Sequence, residues 1–208
     1  MLIFGTLCDV SHTTLTAKGA RTRDAILAAA IERFGRDGYR ATSVADIARD
    51  AQVGGSVAYA YFPNKESLFL AALDEDAAQA IREGVSHLLV EGGHERWHAS
   101  LIPTLVEALN RHPLARRVVT GLEPTVTDRV SEIPAMGELR QAVGARLRAD
   151  QALGRVRRDI DPTPIGNGIV TITIALLMGA LQVGVGALGD LGDDVWAVFS
   201  AALEPPAQ

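Results

Sequence analysis

The sequence predicts an all-α protein, with a small three-helix domain near the N-terminus and a larger helical domain after it. Three observations favour this fold class. Apolar residues recur at helical spacing along most of the 208 residues, glycine and proline separate these segments, and no charged residue occurs from Pro162 to Gly189. A chain of this length with 48% hydrophobic residues can bury one large or two small cores.

The first helix is predicted from Thr22 to Arg36, because apolar residues fall there at i, i+3, i+4 and i+7, the spacing of one helix face. These residues are Leu27, Ala30, Ile31 and Phe34. Asp37 and Gly38 are predicted to end the helix. Its apolar face should cover the two shorter helices that follow.

The segment Thr42–Lys65 predicts two short helices joined by a glycine-containing turn. Thr42 or Ser43 can cap the first helix by accepting a hydrogen bond from an unpaired backbone N–H. The turn takes residues 52–55, the second helix takes residues 56–62, and a following proline ends it. Two helices joined in this way form a helix-turn-helix, whose second helix enters the major groove of DNA.

Several motifs within residues 18–73 stand in a specific order and spacing. They are Ile26–Ala30 followed by Phe34, Gly38-Tyr39, Thr42-Ser43-Val44, Ile47-Ala48 and Tyr59–Phe69. In these motifs the segment resembles the DNA-binding domain of the TetR (tetracycline-repressor-like) transcriptional regulators. The resemblance covers roughly a quarter of the chain.

The resemblance implies a ligand-responsive homodimer, most often a repressor, that binds a near-palindromic operator and is released by a small-molecule effector. It divides the chain after residue 17 into two parts. Residues 18–64 are the helix-turn-helix domain, and residues 65–208 bind the effector and dimerise. We therefore expect neither an enzymatic activity nor a cofactor. Residues 1–17 show no clear period and contain a Ser/Thr/His cluster, so we expect a disordered arm or an artefact of the start site.

The resemblance also implies which residues contact DNA. The DNA backbone would be met by the cap of the first short helix, Thr42 or Ser43, by Tyr61, and by Lys65, where the positive end of the helix dipole adds to the lysine charge. Tyr59 occupies a position that reaches bases or phosphates in the family.

The predicted recognition helix departs from the family pattern, because it has no Arg, Lys, Asn or Gln between Val53 and Phe62. It therefore lacks the side chains that pair with a base through two hydrogen bonds. Base reading would depend on hydroxyl groups, methyl contacts to thymine and DNA shape, so we expect modest sequence discrimination per half-site. The residues assigned to the DNA contact are Gly55, Ser56, Val57 and Tyr59, with Ala58 as an alternative to Val57 for the methyl contact.

The rest of the chain predicts further helices at residues 64–87, 95–111, 114–122, 134–153 and 193–203, the second of them kinked by Pro103. Apolar positions on the middle helices suggest an effector pocket. The residues assigned to it are Trp97, Leu101, Leu105, Val118 and Leu122.

The uncharged run has three interpretations. It exceeds the roughly 20 residues that a membrane span needs, so residues 165–188 could anchor the chain in a membrane. Its β-branched block at 169–174 is also typical of a buried strand. Internal polar residues and the lack of flanking Lys, Arg or aromatic anchors favour a third interpretation, a helix buried in protein. The resemblance then places the homodimer interface in residues 162–203, with no membrane partner.

The pentapeptide at residues 94–98 matches the HExxH pattern, with His94 and His98 as zinc ligands and Glu95 as general base. A zinc-dependent hydrolase is therefore an alternative function. Two glycines directly before the motif place it at a frayed helix start, which favours ordinary surface or pocket residues.

Two further observations bear on this alternative and on cofactors. Only Glu107 and His112 are candidates for a third zinc ligand, and neither stands at a recognised spacing. A glycine pattern at residues 184–189 resembles a dinucleotide-binding loop, but too few residues follow it to complete that unit.

Charge and cysteine content limit the partners and the compartment. The net charge is −5, yet residues 18–65 hold eight Lys or Arg and five Asp or Glu, a net of +3. A basic end on an acidic body suits a protein that contacts phosphates with one end only. Cys8 is the single cysteine and cannot form an intrachain disulfide, so we expect a cytoplasmic protein.

Overall fold

A computed structural model of the chain describes residues 17–90, 97–126, 132–183 and 189–205, of which 87–90, 97–101, 183 and 189–193 are described by their backbone only. Over these ranges the regular structure is helical and contains no β-strand, which confirms the predicted all-α class. The helices are α1 (Ala17–Ala41), α2 (Val44–Asp50), α3 (Gly55–Tyr61), α4 (Lys65–Val90), α5 (Trp97–Arg111), α6 (Pro113–Val119), α7 (Pro134–Ala152), α8 (Pro162–Val183) and α9 (Gly189–Leu203).

Helix α1 is longer at both ends than the sequence predicts. Gly38 has φ 83° and ψ 169°, outside the helical region, and a positive φ of this size favours glycine. The chain turns at Gly38 and is helical again up to Ala41. The glycine therefore kinks the helix at the place where the prediction ended it.

Helices α2 and α3 form the predicted helix-turn-helix. α2 buries Val44, Ile47 and Ala48 on one face, as the apolar spacing indicates. The turn passes through Gln52, whose φ is 57°, and α3 begins at Gly55, one residue earlier than predicted.

The core beneath α1, α2 and α3 does not end at the predicted domain boundary. α4 contributes Leu68, Phe69, Ala72 and Leu73 to it, and α6 contributes Leu114 and Val118. The Phe69 ring meets Phe34 and Tyr39 edge to face, with centroids 5.0 Å apart in both pairs. Here "the head" means α1, α2 and α3, and α4 and α6 form its floor.

The second core is formed by α4, α5, α6, α7 and α8, and Phe199 and Leu203 of α9 also belong to it. The β-branched block is helical as part of α8, so the strand interpretation is wrong. By length and composition, Pro162–Gln182 could cross a membrane, and 33% of its most apolar window is buried inside the chain. α8 packs mainly along α7, with smaller contacts to α5 and α6.

Candidate DNA-binding face and internal cavity

The outer face of α3 is exposed and carries most of the residues predicted to meet DNA. Val57 is 38% exposed and Tyr59 is 53% exposed, and Gly55 and Ser56 also face solvent. Ala58 is 0% exposed and packs into the head core. It therefore cannot supply the methyl contact, and of the two predicted candidates only Val57 remains.

The cap of α2 is Ser43. Its hydroxyl accepts a hydrogen bond from the Asp46 N–H at 3.2 Å and donates to Asp46 Oδ2 at 2.7 Å, which holds the pKa of that carboxyl below its usual value. Thr42 is 2% exposed, and its hydroxyl donates to the Gly38 carbonyl at 2.8 Å. Of the two predicted cap residues, Thr42 is thus a buried structural residue, and its predicted DNA contact is corrected.

The start of α4 lies beside α3. Asn64 caps it, because its Oδ1 accepts the Ser67 N–H at 2.7 Å. The next residue, Lys65, is half-buried and places Nζ 4.4 Å from the centre of the Tyr39 ring. Tyr61 is also half-buried, on the last turn of α3.

The cations of the head fall into two groups. Arg33 pairs with Asp50, Arg36 with Asp37, and Arg49 with Asp46. Arg36 lowers the pKa of Asp37, and Arg33 lowers the pKa of Asp50. The pKa of Asp46 is lowered mainly by the Ser43 hydroxyl and further by Arg49. Within residues 18–65, all of which the structure describes, the cations that make no ion pair are Lys18, Arg21, Arg23 and Arg40 of the head and Lys65 at the start of α4. These cations are the ones available to phosphates.

An internal cavity lies between α4, α5, α6, α7 and α8, with a volume of about 480 Å³ that includes the part open to solvent. All of its lining residues are apolar. They are Leu73, Ala77, Ala80, Ile81, Leu105, Leu109, Ala115, Val118, Val119, Ile133, Met136, Ile174 and Leu177.

The residues predicted to bind an effector are only partly brought together. Leu105 and Val118 line the cavity. Leu122 is 59% exposed and does not line it, because the chain leaves α6 through a turn at Gly121 with φ 78°, so its assignment is corrected. The side chains of Trp97 and Leu101 lie outside the described residues.

Helix α6 is fixed to α4 through a buried carboxylate. Asp76 of α4 is 2% exposed, and its Oδ2 accepts the N–H groups of Leu114 and Ala115 at 2.9 and 2.8 Å. Its Oδ1 lies 2.9 Å from His112 Nδ1, and His112 Nε2 lies 3.2 Å from Glu83 Oε1. A residue of α4 thus satisfies the otherwise unpaired N–H groups at the start of α6.

A second polar junction joins the end of α6 to the kink in α1. Oε1 of Glu123, which is 8% exposed, accepts the Tyr39 N–H at 3.0 Å and Arg117 Nε at 2.8 Å. A Cβ at Gly38 would lie 2.5 Å from Arg117 Nη2, so a larger residue would displace this guanidinium, and the positive φ of Gly38 itself favours glycine. At the other end of α6, a Cβ on Gly35 would lie 2.7 Å from Pro113 Cβ.

The two junctions that hold α6 depend on Asp76, Glu123 and Gly38. These roles are not among the predictions from the sequence. A signal existed for the first of them. Asp76 follows Leu73 by three residues, on the face of α4 that the apolar spacing predicts to be buried, and a carboxylate there requires a partner. No signal existed for Glu123, because its partners lie 84 and 6 residues away in the chain.

The zinc and dinucleotide patterns fall largely outside the described residues: His94, Glu95, the side chain of His98 and residues 184–188. The part that is described gives the zinc alternative no support. Both ring nitrogens of His112 face carboxylates, Glu107 pairs with Arg111, and no group of three metal-binding side chains occurs in the described ranges.

Residues 26–72 match the family model described as bacterial regulatory proteins, tetR family. The matched segment begins within α1, contains the whole helix-turn-helix and ends in the first part of α4. No curated protein matches the chain.

The fold is shared with solved TetR-family structures. A TetR-family transcriptional regulator from Pectobacterium atrosepticum superposes with a TM-score of 0.73 at 18% identity, covering 88% of this chain and 95% of that one. A proposed TetR-family regulator from Mesorhizobium loti gives 0.67 at 21% identity, covering 89% and 98%. The regulator FadR from Bacillus subtilis, solved with stearoyl-CoA, gives 0.62 at 18% identity, covering 83% and 96%.

Proposed function

We propose, from the premise that this chain belongs to the TetR family of bacterial transcriptional regulators, that it represses transcription from a near-palindromic operator as a homodimer and is released by an apolar effector. The observation that carries this proposal is the double role of α6. Val118 belongs both to the core of the head and to the wall of the cavity. A ligand in the cavity would therefore press on the helix that supports the DNA-reading head.

The proposed contact with DNA uses the exposed face of α3 for bases and the flanking elements for phosphates. Ser43, Tyr61 and Lys65 stand at the two ends of the helix-turn-helix, where they would meet the DNA backbone and fix the register of α3. Lys65 carries a charge without an ion pair among the described residues, so it would contribute to the electrostatic part of the affinity.

The proposed effector is an uncharged apolar molecule or an apolar chain. A polar ligand buried in this cavity would lose its hydrogen bonds to water, because the lining residues have apolar side chains. The FadR structure contains stearoyl-CoA, whose acyl chain is apolar like the effector proposed for this chain.

The proposed mechanism is a shift between two arrangements of α6. Without effector, the two junctions at Asp76 and Glu123 hold α6 against α4 and against the kink of α1. An effector that separates α6 from α4 or α8 would change the position of the head. In a dimer, a change in the position of each head alters the distance between the two heads. The effector and the operator would therefore bind to different conformations of the dimer, and each would weaken the binding of the other.

The proposed dimer interface uses α8 and α9. Exposed residues of α8 recur every four positions, which places them on one helix face: Asn167, Thr171, Ala175 and Gly179. Ile172 beside this face is 41% exposed, and Val198 of α9 is 61% exposed. An uncharged helix with one exposed face can cover that face by packing on a second copy, and this favours a dimer over a membrane anchor.

The experiment that tests the function is a fluorescence-anisotropy titration of the full-length protein with DNA from beside its own gene, over a series of salt concentrations. We expect tighter binding than to a scrambled duplex, and an affinity that falls linearly in logarithm with salt. Lys65→Ala should reduce the salt slope by about two per dimer, one phosphate per head. Equal affinity for both duplexes would contradict the proposal.

A specificity ratio from the same titration tests the expected weak discrimination. Sequence-specific DNA-binding proteins bind their own site about 10³–10⁷ times more tightly than non-specific DNA. We expect a ratio in the lower half of this range, and a ratio above about 10⁵ would contradict that expectation.

A further inference from the structure

The exposed face of α3 has few groups that can form hydrogen bonds with bases. Its solvent-facing residues are Gly55, Ser56, Val57, Tyr59 and Ala60. Two hydroxyls are the only side-chain hydrogen-bonding groups among them. The side chains that discriminate bases through paired hydrogen bonds, Arg, Lys, Asn and Gln, do not occur on this helix.

The apolar groups on this face have one complementary feature in the major groove. The C5-methyl of thymine is the apolar group that base edges present there, and apolar side chains contact it. Val57 carries two methyl groups and is 38% exposed, whereas Ala58 is fully buried. Val57 is therefore the largest aliphatic side chain that α3 can offer to a thymine methyl.

We infer that α3 recognises its operator through thymine methyl groups, with Val57 as the side chain that determines specificity. This inference rests on the proposed function, because it requires α3 to lie in a major groove. The partner it names is a half-site with thymine at the position facing Val57. Tyr59 and Ser56 then add single hydrogen bonds, which are tolerant of the base.

One other group near α3 could read a base instead. Gln52 is exposed in the turn before α3, and its amide could pair with adenine through N6 and N7. Arg49 is a weaker candidate, since its guanidinium is paired with Asp46. A test of the inference must separate a methyl contact from an amide contact.

The experiment uses base analogues in one duplex. A binding site is selected from a random-sequence duplex pool with the full-length protein, and each thymine of a half-site is then replaced by uracil. Uracil lacks the methyl group and keeps every hydrogen-bonding group. We expect uracil at one position to weaken binding roughly fourfold per half-site, the effect of one buried methyl group. Replacing adenines by 7-deazaadenine, which lacks the N7 acceptor, should change the affinity less than twofold.

Two variants of the protein complete the test. Val57→Ala removes both γ-methyl groups, and we expect it to bind the thymine and uracil duplexes with equal affinity. Val57→Thr keeps one methyl group and should retain a preference for thymine. Val57 lies outside both buried clusters, so neither variant should unfold, and circular dichroism of both variants verifies this.

The outcomes separate the two proposals. A protein that selects a duplex and binds its uracil form equally well has the proposed function and overturns the inference. The same conclusion follows if only 7-deazaadenine weakens binding, because the amide is then the reader. A protein that selects no duplex fails the proposed function, and the inference fails with it.

Discussion

Gly55 begins α3 at a point where a Cβ would meet nothing within 4 Å. Glycine is thus not required there by the fold of the chain. If DNA lies against α3, however, the missing side chain leaves room for the approach of the duplex. Stability and DNA affinity should therefore respond to this residue in opposite directions.

We predict that Gly55→Ala raises the free energy of unfolding by about 0.4–1 kcal/mol, because alanine restricts the unfolded chain, and that it lowers DNA affinity. Denaturant unfolding and anisotropy measure the two effects. Gly137→Ala on α7 is the matched control, since a Cβ there also meets nothing, and it should stabilise without changing DNA binding. An unchanged or higher DNA affinity of Gly55→Ala would contradict the predicted contact.

At the scale of single residues, the sequence identifies Ser43, Val57, Tyr59 and Lys65 as exposed or half-buried residues of one region. The sequence does not show whether Val57 or Ala58 faces the solvent, because this depends on how α3 is rotated about its axis against the helices beneath it. Leu122 shows the same limit. Its apolar character is visible in the sequence, whereas the turn at Gly121 that carries it away from the cavity is set by the packing of α6.

Among the helices, α6 is the one that we propose to link the cavity to the head, because its two ends are tied to different partners. Asp76 and His112 hold its start to α4, and Glu123 holds the turn after it to the kink of α1. Buried polar contacts of this kind hold a helix in one position only while every partner is present.

We predict that Asp76→Ala destabilises the protein by roughly 3–5 kcal/mol, since it leaves two N–H groups and the Nδ1 atom of His112 buried without a partner. Chemical denaturation measures the change. Glu138→Ala, at an exposed position of α7, is the control and should cost less than about 1 kcal/mol. A similar loss in both variants would show that the buried contact adds little.

The ion pair between Glu83 and Arg111 predicts that the stability of the protein depends on pH. Arg111 donates to Glu83 at 2.7 Å and, with His112, lowers the pKa of this carboxyl. A carboxyl with a lowered pKa in the folded state stabilises the protein above its unfolded pKa, and this contribution is lost as the pH falls through the folded value. Glu83→Gln should therefore reduce the loss of stability between about pH 5 and pH 3. An identical pH profile for both proteins would exclude this contribution.

Sequence periodicity predicts α2 and α3 to within one residue at each end, because short amphipathic helices with a cap and a proline stop carry their own signals. For α1 the sequence predicts a break at Gly38 but not the helical turn that continues to Ala41. Arg117 from α6 approaches this kink closely, a contact that spans 79 residues of chain and leaves no local signal. For α8, composition leaves helix and strand open, and packing along α7 decides for the helix.

The whole molecule is proposed to act as a dimer, which predicts a strong effect of charge on the uncovered face of α8. Gly179→Glu should give a monomer, because a carboxylate would be buried between two copies without a partner. A Cβ at Gly179 meets nothing within the chain, so the monomer itself should fold. Light scattering after size exclusion gives the mass.

The control for this prediction is Gly137→Glu, which adds the same charge to α7 at another open position. It should remain dimeric. If both variants are dimers at micromolar concentration, the interface lies elsewhere.

The central claim is that the cavity and the DNA-reading head communicate through α6. It is tested most directly by the operator affinity of Ala77→Phe, measured by anisotropy beside the wild type and the exposed control Ala145→Phe. Ala77 lines the cavity from α4, so phenylalanine fills the space opposite α6 as an effector would. We predict binding by the wild type and the control, and an affinity at least about tenfold lower for Ala77→Phe, or about 1.4 kcal/mol. An Ala77→Phe protein that folds, dimerises and binds the operator as tightly as the wild type would contradict the claim.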